Sequence, residues 1–138
     1  MGVIQKLKKK IFNDYSSFGY DYFIDKKGRK IWFYLEDESL NQLLLFHKGN
    51  IIGKMLFSFE DEFIELCDIV VFEDRPLNRK SGIGSWMFNK LKDIAKEHNY
   101  KFIIGNMVPE KSESLQDLVK FYEKQGCEIE GRWFIFHL

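Results

Sequence analysis

Arg79-Lys80-Ser81-Gly82-Ile83-Gly84 brings two cations and two glycines together between an apolar run ending at Phe72 and an amphipathic stretch starting near Gly84. A strand that leads through such a turn into a helix makes a site for anionic phosphate. The first free N–H groups of the helix point at the ligand, and the helix dipole favours negative charge there. Gly82 and Gly84 have no Cβ to keep a pyrophosphate from the backbone, and Arg79 and Lys80 add positive charge beside it. The spelling is neither the Walker loop G-x-x-x-x-G-K-[ST] nor the dinucleotide fingerprint G-x-G-x-x-G. Alone, the turn could equally be a tight strand-to-helix connection, so the elements around it must decide.

With 138 residues, 45% of them hydrophobic, the chain is expected to form one domain with a real core. Lys plus Arg equals Asp plus Glu at 21 each, so no global field points to nucleic acid or to a membrane surface. Lys6, Lys8, Lys9 and Lys10 are the local exception and read as the solvated face of a short N-terminal helix. Cys67 and Cys127 stand far apart with no C-x-x-C and no His pair at ligand spacing. They read as reduced, half-buried core cysteines, and no metal is expected. Position 6 is Lys, which does not fit a myristoylation signal. No signal peptide and no bilayer-spanning apolar run is evident, and the expected location is cytoplasmic.

The elements follow from periodicity. Val3, Ile4, Leu7, Ile11 and Phe12 recur at helical spacing, while residues 13–28 carry no firm assignment. Strands are expected over 30–35, 42–46, 51–59 and 63–72, the middle pair flanking the turn His47-Lys48-Gly49-Asn50. Ile83, Met87, Leu91, Ile94 and Ala95 predict a helix through about His98. Residues 101–107 predict a strand, and Ser114 caps a second helix stopped by Gly126. A strand pair turning at Gly131 ends the chain. An antiparallel meander followed by a βαβ crossover is α+β: a mixed, mostly antiparallel sheet with flanking helices in an α/β-type layered arrangement. The glycine turn then lies at the carboxyl end of the 63–72 strand, where ligands commonly enter such sheets.

Two motifs now stand in order: Asp68-Ile69-Val70-Val71 followed by Arg79 to Gly84, and Phe121-Tyr122-Glu123-Lys124-Gln125-Gly126-Cys127. The first resembles the acyl-CoA loop, and the second the helix-ending F-Y-E-K-x-G-F signature, of the GCN5-related N-acetyltransferase (GNAT) superfamily. The resemblance covers about residues 30–138, the recognisable core of a single domain over 1–138, with 1–29 as N-terminal helix and connection. It implies acetyl-CoA as cosubstrate. Backbone groups of Ile69, Val70 and Val71 would pair with the pantetheine arm, and Lys80, Ser81, Gly82, Ile83 and Gly84 would hold the pyrophosphate with Arg79 beside them. An amine acceptor, small molecule or peptide, would attack the thioester directly, with a backbone N–H near Val71 polarising its oxygen.

The resemblance also implies that Tyr122 protonates the departing thiolate, the alternative being a core tyrosine. It suggests Glu65 as base, the alternative being an exposed strand carboxylate. Strand alternation puts Glu65 on the face of Cys67, Ile69 and Val71, with Asp68 on the other. His47, His98 and His137 look like turn, helix-end and strand-end residues. The chain departs from the family in three places. Seven residues, 72–78, separate Val71 from Arg79. Leu115 stands where the family often has a cofactor-touching Asn, so Asn106 or Ser112 would take that contact. There is no room for the usual two helices between the first two strands. Two further readings stay open: a CoA-binding regulatory module without turnover, and an interaction protein or homodimer using Trp32, Phe33, Trp133, Phe134 and Phe136.

Overall fold

The computed structural model describes residues 20–36, 41–72, 81–109 and 113–138. Eight strands form one sheet: β1 (Asp21–Ile24), β2 (Lys30–Glu36), β3 (Gln42–His47), β4 (Asn50–Phe59), β5 (Phe63–Val71), β6 (Phe102–Asn106), β7 (Glu128–Glu130) and β8 (Trp133–His137). Their spatial order is β1-β2-β3-β4-β5-β6-β8-β7. Only β5 and β6 run parallel, because helix α1 (Ile83–Glu97) carries the chain between them. Helix α2 (Leu115–Lys124) connects β6 to β7. The mixed sheet and two crossover helices match the α+β fold expected from the sequence. The helix expected over 3–12 and the loop over 72–78, from residue 73 on, lie outside the described residues.

Local chemistry accounts for the boundaries. Lys48 and Gly49 both adopt positive φ (48° and 83°), as a two-residue hairpin with the strand twist requires. Ser114 caps α2 through a reciprocal box, its Oγ accepting from Asp117 N–H at 3.1 Å while Asp117 Oδ2 accepts from Ser114 N–H at 3.3 Å. At the other end Gly126 takes φ 95°. Cys127 N–H then donates back to Tyr122 O (3.0 Å) and Gly126 N–H to Glu123 O (3.0 Å). This double closure gives the glycine of the F-Y-E-K-x-G run its physical purpose.

Both helices pack on one face. Phe88, Met87 and Leu91 of α1 and Phe121 and Tyr122 of α2 join Leu43, Met55, Ile64, Leu66, Ile103 and Phe134 of the sheet in one buried cluster. A smaller cluster, Trp32 and Phe46 with Tyr20 and Leu44 against them, lies apart from it.

β1 was not legible in the sequence. Its four residues are too few for a period, and its anchor is remote: Phe23 stacks on Trp86 of α1 (centroids 3.8 Å, 9°). The turn after it is held by Asp25, whose Oδ1 accepts from Lys27 N–H (3.0 Å) and Arg29 N–H (2.9 Å). Its Oδ2 meets the Arg29 guanidinium at 2.7 Å. Burial alone would raise the Asp25 pKa. The hydrogen bonds from Arg29 and Lys27, with the Arg29 charge, outweigh it and hold the carboxyl below its ordinary 3.8. A lowered pKa gives stability that is complete above the ordinary value and is lost as pH falls through the depressed one. Asp25→Ala should cost about 2–3 kcal/mol at pH 7 by orphaning these donors. Urea melts at pH 7 and below pH 4 should show the gap to wild type closing in acid, and a constant gap would contradict the assignment.

Candidate active site

β5 is paired on one side along its whole length and on the other only in part. With β4 the register runs from Phe59–Ile64 to Gly53–Val71. With β6 it stops at Leu66–Gly105. Beyond that row the strands part, and Cys67 to Val71 present an edge with no β6 neighbour. Phe72 N–H donates to Ile52 O on β4 (2.9 Å). Peptide groups alternate sides along a strand, so the N–H groups of Ile69 and Val71 point into the opening. Asp68, Ile69, Met107, Val108, Leu118 and Tyr122 border it, around a cavity of ≈ 40 Å³.

Tyr122 is fixed there by aromatic packing. Its ring stacks on Phe134 (3.8 Å, 9°) and meets Phe88 edge-on (5.9 Å). Phe134 can lie across β6 only because its partner there is Gly105. A Cβ at Gly105 would overlap the Phe134 ring and stand 3.0 Å from Leu66 O. The phenol is 4% exposed. Burial first, then the neighbouring Cys127, Glu113 and Asp68, holds it well above its ordinary pKa, so it is protonated throughout the neutral range. Gly105 and Phe134 position Tyr122, and the sequence reading assigned neither that task. The only signal was a glycine inside a strand pattern.

The glycine turn meets the opening from the β5 side. Gly82 is the N-cap of α1 at φ 72°, with no side-chain cap and no acidic residue in the first helical turn. Ser81 Oγ accepts from Ile83 N–H at 3.4 Å, while Gly84 and Ser85 follow in the turn whose N–H groups have no intrahelical acceptor. The geometry fits an anion at that end. The β1–β2 turn docks on it: Lys26 N–H donates to Ser81 O (3.2 Å), and the Lys26 stem lies 2.9 Å from where a Gly82 Cβ would be. Lys26 is therefore a cation beside the helix terminus that no sequence signal near residue 82 announced. Arg79 and Lys80 lie outside the described residues, as does Ser112.

Three expected placements are corrected. Glu65 does not share a face with Ile69 and Val71. The register with β4 slips between Leu56–Asp68 and Phe57–Leu66, leaving Cys67 as an extra bulged residue that resets the alternation. Glu65 faces away from the helices with Asp68 and Val70, while Ile69 and Val71 face the core. Asn106, paired with Trp133, lies on the same outer face as Glu65 and not beside Tyr122. Cys67 is exposed, not half-buried, whereas Cys127 is buried and both are free thiols. Burial pushes the Cys127 thiol up to about 12, with the Lys92 charge opposing.

Glu65 borders a second, larger space on that outer face. Phe63, Glu65, Ile104, Ile135, Trp133 and Glu130 line a groove of ≈ 580 Å³. Glu65–Ile104, on its floor, is the row just before the last β5–β6 pair, so the groove and the opening lie along the same stretch of β5. Among the described residues no helix is long and apolar enough to cross a membrane, and no cluster of His, Cys, Asp and Glu could hold a metal ion.

A parallel strand pair that parts beside a helix N-terminus, with a tyrosine at the parting, is the frame of an acyl-CoA-dependent transferase fold. Residues 7–127 match the Acetyltransferase (GNAT) family, and the chain belongs to that family. It is 29% identical over 83 residues to YocC of Bacillus subtilis (strain 168), an alignment covering 60% of this chain and 47% of that protein, about half of its length. Among solved structures it resembles the anti-CRISPR protein AcrVA5 (26% identity, TM-score 0.53, 61% of this chain and 88% of the other). It also resembles a GNAT family acetyltransferase from Elizabethkingia anophelis with acetyl-CoA bound (19% identity, TM-score 0.58, 72% and 77%).

Proposed function

We propose that the chain is a cytoplasmic N-acetyltransferase that moves an acetyl group from acetyl-CoA to a primary amine by direct attack in a ternary complex. The observation that carries this reading is the opening between β5 and β6, with the inward N–H groups of Ile69 and Val71 on one wall and Tyr122 on the other. The free β5 edge offers strand-like pairing to an extended pantetheine arm. The terminus of α1, with Gly82, Gly84 and Lys26, offers a seat for the pyrophosphate, and Arg79 and Lys80 precede it in the sequence. The Elizabethkingia structure with acetyl-CoA supports that choice of donor for a sheet of this shape.

The roles then divide by face. Glu65, directly or through water, accepts a proton from the ammonium arriving through the outer groove. The nitrogen lone pair forms the new N–C bond while the C–S bond breaks and sulfur leaves with its electron pair. The Val71 N–H stabilises the oxyanion formed on the way. Tyr122 donates toward the sulfur. Of the two protons the ammonium sheds, one ends on sulfur and one in solvent.

Calorimetric titration with acetyl-CoA, followed by thiol release on adding amines, tests the proposal. Saturable binding with amine-dependent release is expected. Binding without release from any amine would favour the regulatory module, and no binding would remove the phosphate-turn assignment. In the same titration Lys26→Ala should weaken acetyl-CoA about fivefold at low salt, with the difference shrinking in high salt as screening rises. Equal affinity in 20–50 mM salt, roughly, would take Lys26 out of the site.

A further inference from the structure

The outer groove has a chemistry of its own. Strand pairing sets its floor: Glu65 lies beside Ile104 on β6, Ile104 beside Ile135 on β8, and Trp133 beside Glu130 on β7. A carboxylate stands at each end, Glu65 and Glu130 lying three strand spacings across and two residues along the strands from each other, about 16 Å apart, with isoleucines and an indole between. Glu128, which closes the Ile104–Ile135 row itself, stands 3.4 Å from His137. Neither Glu65 nor Glu130 makes an ion pair among the described residues. Trp133, 45% exposed beside Glu130, adds a ring face that attracts cations. A volume of ≈ 580 Å³ is that of a small-molecule site.

We propose that this groove binds a small primary amine carrying a second positive charge across an apolar spacer, a diamine in the simplest case. The inference rests on the transferase reading above and names its acceptor. The reacting ammonium sits at Glu65, next to the parting of β5 and β6. The second stays charged at Glu130 and Trp133, and the methylene spacer covers Ile104 and Ile135. A monoamine satisfies one carboxylate and leaves the other facing an apolar floor. A diamine too short to span the floor does the same.

The test compares octylamine, diaminopropane and diaminooctane as acceptors for the full chain, reading thiol release from acetyl-CoA. Diaminooctane should exceed both others in kcat/KM by about fivefold or more, the upper end for one exposed ion pair. Glu130→Gln should remove most of that preference through KM with kcat little changed. Glu128→Gln takes the same charge from the same strand, where Glu128 stands 3.4 Å from His137, and should preserve the preference. Equal use of octylamine and diaminooctane by the unmodified chain, or a preference that survives Glu130→Gln, would overturn the assignment while leaving the transferase intact. Release only with a lysine-containing peptide would also overturn it. If no amine releases thiol, calorimetry with diaminooctane separates the two ideas. Binding that depends on Glu130 keeps the groove and discards the transferase reading, and absence of binding discards both.

Discussion

Tyr122→Phe should lower acetyl transfer at least about 100-fold at saturating acetyl-CoA, the low end for loss of a positioned proton donor. The ring contacts survive, because Phe keeps the stack on Phe134 and the edge contact with Phe88. Acetyl-CoA affinity should therefore stay within about twofold, giving the kcat-only pattern of an interaction made in the transition state. The raised phenol pKa sets the pH dependence. An acid held above its ordinary 10 is not lost as pH climbs through 7 to 10, so no alkaline limb below about 10 belongs to Tyr122. A buried phenol is also a weaker acid than a thiol. Its contribution is greatest as a hydrogen bond aimed at charge building on sulfur. An unchanged kcat in the Phe variant would make Tyr122 a core residue and nothing more.

The second large effect comes from a residue that touches no ligand. Gly105→Ala places a Cβ inside the Phe134 ring and against Leu66 O. Phe134 cannot retreat without leaving Tyr122 on one side and Phe88 on the other. Overpacking of this kind costs about 1–3 kcal/mol, a fall in Tm of roughly 3–10 °C for a chain of this size. Since the displaced ring is the one that seats Tyr122, transfer should fall below wild type even at temperatures where the variant is fully folded. Phe134→Leu in the Gly105→Ala background should restore most of the stability and little of the activity. Full recovery of both would mean that the stack fills space without orienting the phenol.

The legible parts of the fold are those whose signals are local. The α1 period, the Ser114 box, the Gly126 stop and the Lys48-Gly49 turn are each written within a few residues of where they act. The glycine turn and the F-Y-E-K-x-G run lie within short stretches for the same reason, and the resemblance they carried is to the family the chain belongs to. What the sequence hid depends on partners far along the chain. β1 needs Trp86, the glycine turn has Lys26 folded onto it from some 55 positions away, and Gly105 has meaning only opposite Phe134. The face of Glu65 was misread because alternation was counted through Cys67 as if the strand were regular. The bulge there depends on β4 opposite, and no property of Cys67 itself betrays it.

That extra residue gives β5 two frames. Upstream of Cys67 the strand offers Ile64 and Leu66 to the helices and Phe63 and Glu65 to the outer groove; downstream the parity is inverted, and Ile69 and Val71 turn to the helices. One length of backbone thereby serves as a wall to two spaces, the cavity at Tyr122 and the outer groove, which the proposed function uses as donor side and acceptor side. Deleting Cys67 would do more than shorten a strand. It would put both halves back in one phase, so that either the glutamate is driven under the helices or Ile69 and Val71 are turned out to solvent. The chain can keep Ile69 and Val71 in its core and Glu65 on the outer groove together only while that single residue stays out of step.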